Sequence, residues 1–410
     1  MSDLPVDTLS VYRYQPLDLT KQQIRLVAVR PASHPEDPVQ CDLQTFDMDT
    51  APNYVALSYM WGPPTPTGNI YISSKRLEIR QNLLDFLNAY RNDRSNIHYI
   101  WIDQICISQA HSGERNHQVQ MMSTIYRNCL ETVIWLGFNE RTPATALAIQ
   151  WSLTTSSPED GNASGLLAAV PPKLSSFTGE CARGILRNSY FSRLWIVQEI
   201  MLPPAVRVLC GDVWIPFDKL VQSSNSRSGL NKGTLNSAFS NARFHMHNRK
   251  RAGVDMFESI ASVYQGNRHE LSLHQCVMNF MWQRCEDPRD KVYGLLGLVR
   301  ESERLTVDYG KSKQEVFLEV FIALSRSSDW GIWTPSVYEE AGALLDNMDL
   351  GGYKDSFHTF RHQLNRIWRE GSGPLQDSGF GEVPFPFRAL GFDEKSCSWW
   401  HDQEPSADIL

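Results

Sequence analysis

The chain has no HExxH, no GxSxG, no GxxxxGK[ST] and no GxGxxG after a strand pattern. Their absence removes the zinc-peptidase, serine-hydrolase, P-loop and dinucleotide-fold readings that rest on those signatures. No run of 18 apolar residues occurs, so no membrane span is expected. The opening "MSDLPVDTLSVYRYQPLDL" lacks the basic-then-apolar order of a signal peptide, and a cytoplasmic location is expected. Basic residues are in deficit, 39 Lys and Arg against 46 Asp and Glu for a net charge of −7. No dense basic run interleaves with aromatics, so a nucleic-acid backbone is not an expected partner. The eight cysteines form no CxxC, and several lie inside apolar runs as reduced core thiols would. His358 and His362 share a helix face without a third ligand, so no metal site is expected. No internal repeat is visible.

What is present is hydrophobic content of 42% in 410 residues, enough for two or three domain-sized units. Residues 24–29 (IRLVAV) and 38–43 (PVQCDL) read as an N-terminal pair of strands, and 54–59 (YVALSY) as a third, halted by "MWGPP". "NIYISSKRLEI" reads as a hairpin. Asn82 can then cap a helix whose Leu83, Phe86, Leu87 and Tyr90 fall at i, i+3, i+4 and i+7. A strand through Asp103 follows, then a polar loop, then a helix with Val119, Met122, Ile125, Tyr126 and Cys129 on one side, then the strand "TVIWLG". Strand, helix, strand implies a right-handed crossover between parallel neighbours. "TPATALAIQWSL" reads as a helix, "TTSSPEDGNASG" as a solvated loop, and "SRLWIVQEIML" as a helix before the strand "AVRVLCG". The first half is therefore α/β with a parallel-rich sheet.

Three polar clusters invite chemistry. Asp103 stands at the carboxyl end of a strand, where ligands gather in parallel sheets, although an Asx turn would place it there equally well. Gln109, Glu114, Arg115 and Gln118 follow, with Glu114 and Gln118 on one helix face, and could orient a polar ligand beside Asp103. A carboxylate complementing the helix dipole is the plainer account of Glu114. In "SRLWIVQEI" Ser192 can cap a helix that sets Trp195 and Glu199 at i and i+4, a carboxylate beside an indole able to take a cationic ring. An amphipathic helix with Glu199 paired to Arg193 or Arg187 explains the same pattern.

These blocks, in their order, carry a resemblance. "YRYQPLDLTKQQIRLVAV", "YVALSYMWG", "WIDQICISQ" with the "ER", "QV" and "IYRNC" that follow, "VIWLG" and "RLWIVQEI" are similar to the fungal heterokaryon-incompatibility (HET) domain family. "RCEDPRDKVYGLLGL" and "VDYGKSKQEVF" resemble the segment that commonly follows it, so the similarity covers about residues 12–320. Two positions depart from the family pattern: Ser108, where members usually read "CINQ", and His111, where an acid is common.

The resemblance implies a role in non-self recognition and programmed cell death when incompatible fungal cells fuse. It also implies a fold related to the Toll/interleukin-1 receptor (TIR) domain, some members of which cleave NAD with a helix-borne glutamate. On that analogy Glu199 is the catalytic candidate. Ser58, Trp61, Asp103, Gln109, Glu114, Arg115, Gln118, Arg193 and Trp195 are the substrate-binding candidates. Trp61 or Trp195 would stack on the pyridinium, and Arg115 or Arg193 would meet the diphosphate. NAD would be substrate rather than cofactor, and no bound cofactor is expected. Two alternatives stay open: a non-enzymatic oligomerising signalling module, or an inactive fold regulating a partner. The implied partners are a second copy of the chain or an incompatibility partner protein. The expected layout is residues 1–50 as a strand pair packed on the core, 51–216 as a parallel-rich TIR-like domain flanked by helices, 217–370 as a mostly helical extension, and 371–410 as an irregular tail.

Overall fold

A computed structural model of the chain describes residues 10–34, 36–93, 96–155, 172–224, 264, 271–326 and 335–350. The chain divides into two compact units, Met1–Glu270 and Leu271–Leu410. The break falls inside the stretch 217–370 that periodicity alone groups together. The tail 371–410 and the pair His358 and His362 lie outside the described residues.

The first unit is built on strands β1 (Gln23–Val29), β2 (Gln40–Asp47), β3 (Tyr54–Tyr59), β4 (Thr67–Ile72), β5 (Lys75–Arg80), β6 (Tyr99–Trp101), β7 (Thr132–Trp135), β8 (Val206–Cys210) and β9 (Val213–Pro216). Among the described residues they form one nine-stranded sheet in the order β5-β4-β2-β1-β6-β3-β7-β8-β9. Its described helices are α1 (Gln81–Arg91), α2 (Asp103–Cys106), α3 (Ser112–Asn128), α4 (Arg141–Thr155), α5 (Pro172–Leu186), α6 (Ile196–Met201) and α7 (Phe217–Ser224). Of these, β9 and α5 have no counterpart in the sequence reading.

The sheet is mixed, which corrects the parallel-rich expectation. Parallel ladders join β6 to β3, β3 to β7, β7 to β8 and β2 to β4. Antiparallel ladders join β1 to β2, β1 to β6, β4 to β5 and β8 to β9. The reason is local: β4–β5 and β8–β9 are linked by two residues each, a span that only antiparallel neighbours permit. The first of these turns holds Ser73 and Ser74 at φ 50° and 62°, the backbone a tight hairpin demands.

The crossover is corrected too. Helix α3 joins β6 to β7, but β3 lies between those strands. With parallel partners on both sides, β3 is buried along its whole length, from Tyr54 to Tyr59. The chain leaves β3 for β4 on one side of the sheet and leaves β7 for β8 on the other, so the carboxyl ends of β3 and β7 flank a topological switch point.

Helix α1 buries the expected Leu83, Phe86, Leu87 and Tyr90. Asn82 does not cap it: Arg80 holds the N-cap position, and Asn82 lies in the first turn with its amide turned to Met60 O at 2.5 Å and to the Trp135 indole at 3.0 Å. Strand β6 stops at Trp101, and Asp103 opens the one-turn α2 rather than ending a strand.

In α3 the buried stripe is Glu114, Gln118, Met121, Ile125 and Tyr126, while Val119 and Met122 are only partly buried. The stripe is rotated from the expected one because two polar side chains have partners on β1. Glu114 forms a two-pronged pair with Arg25 at 2.5 and 2.9 Å, and Gln118 donates to Gln23 O at 2.7 Å. Arg25 also donates to Cys106 O at 2.9 Å and to Gln15 O at 2.6 Å. Tyr54 OH to Ile125 O (2.7 Å) and Tyr126 OH to Leu57 O (3.0 Å) strap the same helix to β3. The expected loop "TTSSPEDGNASG" starts in the last turn of α4 and otherwise lies outside the described residues.

In the second unit, α8 (Leu273–Phe280) begins with a capping box of Ser272 and Gln275. It is followed by α9 (Asp290–Tyr293), α10 (Lys313–Arg326) and α11 (Pro335–Asn347). The "EDPRDKVYG" segment is a clamp. Arg289 pairs with Asp287 at 2.6 Å and donates to the carbonyls of Tyr309 and Lys311 at 2.7 and 2.8 Å, and Tyr309 OH donates to Asp290 at 2.6 Å.

The Arg25–Glu114 pair yields a stability prediction. Glu114→Gln leaves a buried guanidinium without its counter-ion and should cost about 3 kcal/mol in chemical denaturation. Replacing both partners by Met and Leu should recover most of that loss. Unchanged stability in Glu114→Gln would show that the pair does not hold α3 to β1.

Candidate active site

A serine in a strand buried on both faces must find its partners inside the protein. Ser58, 1% exposed, finds two. Its hydroxyl donates to the Glu199 carboxylate and lies 2.5 Å from Tyr190 OH. Both partners come from the segment between α5 and β8. There Asn188 caps the turn Ser189–Ser192 through Tyr190 N at 2.9 Å, and α6 then lifts Glu199 to the strand ends. Ser192 does not cap α6. Its hydroxyl donates to Ser189 O at 2.6 Å, and the N-cap position is held by Trp195 without a side-chain bond.

Glu199 is 4% exposed, and burial pushes its carboxyl from 4.5 up to about 7. Arg193 and the Ser58 hydroxyl oppose that rise, and the charge of Asp103 adds to it. Asp103 is partly buried. One of its oxygens accepts from the Trp61 indole at 2.6 Å and the other from Gln104 N at 2.7 Å, while its carbonyl accepts from the Gln109 amide at 2.9 Å. Burial raises its carboxyl as well, against the lowering by Trp61 and Arg193. Tyr59 is 2% exposed and its hydroxyl makes no well-formed hydrogen bond. Burial and the neighbouring Asp103 charge hold that phenol well above its usual range, opposed by Arg193 and Arg80.

The strand therefore ends in a strap, residues 59–62, tied at each step. Arg193 donates to Tyr59 O at 2.5 Å, Asn82 to Met60 O at 2.5 Å, and Arg80 to Gly62 O at 2.6 Å. Gly62 turns the strap at φ 75°, and a Cβ there would meet the Asn82 Cβ at 3.3 Å. The Arg80 guanidinium lies 5.0 Å from the centre of the Trp61 ring, so one face of that indole already carries a cation. The arrangement offers two carboxyl groups in low-dielectric surroundings, able to stabilise a positive charge that develops between them.

Of the residues picked from sequence, the structure gathers Ser58, Trp61, Asp103, Gln109, Arg193 and Glu199 around the carboxyl ends of β3 and β6. Trp195 precedes α6, partly buried. Glu114 and Gln118 do not share this setting, since the Glu114 carboxylate is engaged by Arg25 and the Gln118 amide nitrogen by Gln23 O, and Arg115 is exposed on α3. Net of burial, which raises it, Glu114 is held below its usual range by Arg25 and the Ser108 amide. The departures Ser108 and His111 belong to this structural end: Ser108 N donates to Glu114 at 2.7 Å, and His111 Nδ1 caps Glu114 N at 3.0 Å.

Sequence reasoning missed Tyr59, Arg80, Asn82, Tyr190 and Arg25. For Arg25 a signal existed, an arginine inside the apolar run "IRLVAV", which needs a buried acid. Arg80 and Tyr190 carry none, because only the fold brings them to β3. Among the described residues, no group of three or more His, Cys, Asp or Glu could hold a metal ion, and no helix is long and apolar enough to cross a membrane.

The stretch bounded by this geometry is the one that comparison picks out. Residues 54–199, from the first residue of β3 to Glu199, match the family described as Heterokaryon incompatibility protein (HET). The match places a HET domain at these residues. Heterokaryon incompatibility protein 6, OR allele, of Neurospora crassa is 25% identical to it over 349 residues, covering 74% of this chain and 51% of that protein. The chain thus spans about half the length of that curated relative. No solved structure matches the chain.

The raised Glu199 carboxyl has a stability consequence. The unfolded chain releases this proton near pH 4.5 and the folded one near 7, so wild-type stability falls as pH rises through that window. Glu199→Gln removes the ionisation. It should match wild type near pH 4 and exceed it by about 3 kcal/mol above pH 7. Paired thermal melts at pH 4.5 and 8 check this, and a mutant penalty that stays constant with pH would contradict the buried, raised carboxyl.

Proposed function

We propose that this HET domain is a cytoplasmic cell-death effector with a TIR-like catalytic centre that cleaves NAD at the nicotinamide–ribose bond. The observation that carries the reading is Glu199, a buried carboxylate held by Ser58 at the carboxyl edge of the parallel strands with no ion-pair partner among the described residues. A carboxylate so placed gains most from a positive charge arriving beside it.

In the proposed step the bond from ribose C1′ to the pyridinium nitrogen breaks and its electron pair goes to the ring, which leaves as neutral nicotinamide. No general acid is needed for that departure, unlike an ordinary sugar leaving group. Positive charge grows on C1′ and the ring oxygen, and Glu199 stabilises it while Ser58 and Tyr190 hold the carboxylate in place. Water adds to C1′ and its proton passes to Glu199, whose raised affinity for a proton suits it to that task. Asp103, fixed by Trp61 and Gln104, supplies a second negative charge. Trp61, which already carries Arg80 on its ring, or Trp195 is the indole assigned to stack on the nicotinamide.

The match of residues 54–199 to the HET family supports the wider role in non-self recognition. A non-enzymatic oligomerising module remains the competing account, and one assay separates the two. Purified protein, including at concentrations high enough to self-associate, should consume NAD and release nicotinamide. Glu199→Gln should lose roughly a hundredfold or more in kcat/KM while remaining folded. Activity should fall on the acid side as Glu199 gains its proton near pH 7, and Ser58→Ala should move that limb to higher pH. No NAD turnover by wild type would favour the signalling module. Turnover that survives the substitution would transfer the role to Asp103.

A further inference from the structure

Arg193 acts on both carboxyl groups of the site, and Arg80 packs on Trp61, whose indole holds Asp103, yet neither arginine is paired with either acid. Each places one N–H on a main-chain carbonyl of the strap, Arg193 on Tyr59 O and Arg80 on Gly62 O. Neither comes within 4 Å of an acid among the described residues. The two anchor carbonyls are three residues apart, which limits their separation to about 10 Å. A guanidinium carries five N–H donors, so each has most of its fork unspent. Both are partly buried, and both act on the Tyr59 hydroxyl, which is enclosed and lacks a well-formed hydrogen bond.

This is an unusual economy for arginines near acids. Left to themselves, guanidinium and carboxylate groups form two-pronged pairs, as Arg25 and Glu114 do in the same domain. Here the main chain holds the cations on the strap, Trp61 and Ser58 engage the carboxyls, and the two signs of charge stay apart. A site that keeps them apart fits a ligand that carries both: a positive or developing positive charge for Asp103 and Glu199, and an anionic group for the arginines.

We propose, resting on the carboxylate reading above, that Arg80 and Arg193 are the anion-binding arms of this site and that its substrate carries a diphosphate beside its cationic ring. Arg115, exposed on α3, takes no part.

Binding of inorganic pyrophosphate tests this without any need for turnover. Followed by calorimetry in a buffer of low ionic strength, pyrophosphate should bind the full-length wild-type chain. Arg80→Gln and Arg193→Gln keep a donor for their anchor carbonyl but lose the charge, and each should weaken binding by about tenfold or more. Arg115→Gln should leave it unchanged. Should a Gln variant fail to fold, Arg80→Lys and Arg193→Lys retain the charge without the planar fork and should still weaken binding measurably. The proposal is overturned if wild type binds no pyrophosphate at millimolar concentration, or if it binds equally well in both arginine variants. Arginine-dependent binding without NAD consumption would uphold the anion arms and sink the glycohydrolase. NAD consumption indifferent to both arginines would do the reverse.

Discussion

The position of β3 between two parallel neighbours is the constraint on which the rest of the domain depends. Because β6 and β7 pair with both of its edges and α3 is strapped across it, every residue from Tyr54 to Tyr59 is buried. Five of the six tolerate this as core, Tyr54 with its hydroxyl given to Ile125 O. Ser58 tolerates it only because Glu199 and Tyr190 come to it. That hydroxyl couples the middle of the sheet to a segment 141 positions further along the chain, so the candidate site and the closing of the fold are one event.

Burial then does the electrostatic work. Asp103 and Glu199 each have a carboxyl raised mainly by removal from water, with their mutual repulsion adding to the effect on Glu199. Such a pair would be relieved by neighbouring arginines, and the strap of residues 59–62 prevents full relief by engaging Arg80 and Arg193 through main-chain carbonyls. The strap is thus more than a connection out of β3. Asn82 and Gly62 hold its path, and its path sets how much charge stays uncompensated at the carboxyl edge.

The Arg25–Glu114 pair shows the opposite use of the same chemistry. There a carboxylate and a guanidinium meet with both prongs engaged and their remaining bonds given to Cys106 O, Gln15 O and the Ser108 amide. A buried pair so completely bonded specifies geometry, namely where α3 lies on β1, and leaves nothing to offer a ligand. The most conspicuous polar cluster of the sequence, from Gln109 to Gln118, is for the larger part this structural device, and only Gln109 turns toward Asp103.

Sequence alone determined the elements whose side chains obey a simple period: Tyr54–Tyr59 as a buried run, the hairpin at Ser73 and Ser74, and the face of α1. The ordered blocks also pointed to the HET family, and Asp103 and Glu199 were identifiable as carboxylates near strand ends. Strand order was not accessible, because β3 intervenes between β6 and β7 through contacts that no local pattern encodes. Nor was the division of labour among the polar residues. Glu114 and Glu199 look alike in a helix, each a glutamate beside apolar neighbours. Only the tertiary structure sets an arginine against the first and a serine against the second, and whether a buried charge meets a full counter-charge is a long-range property that local sequence cannot contain.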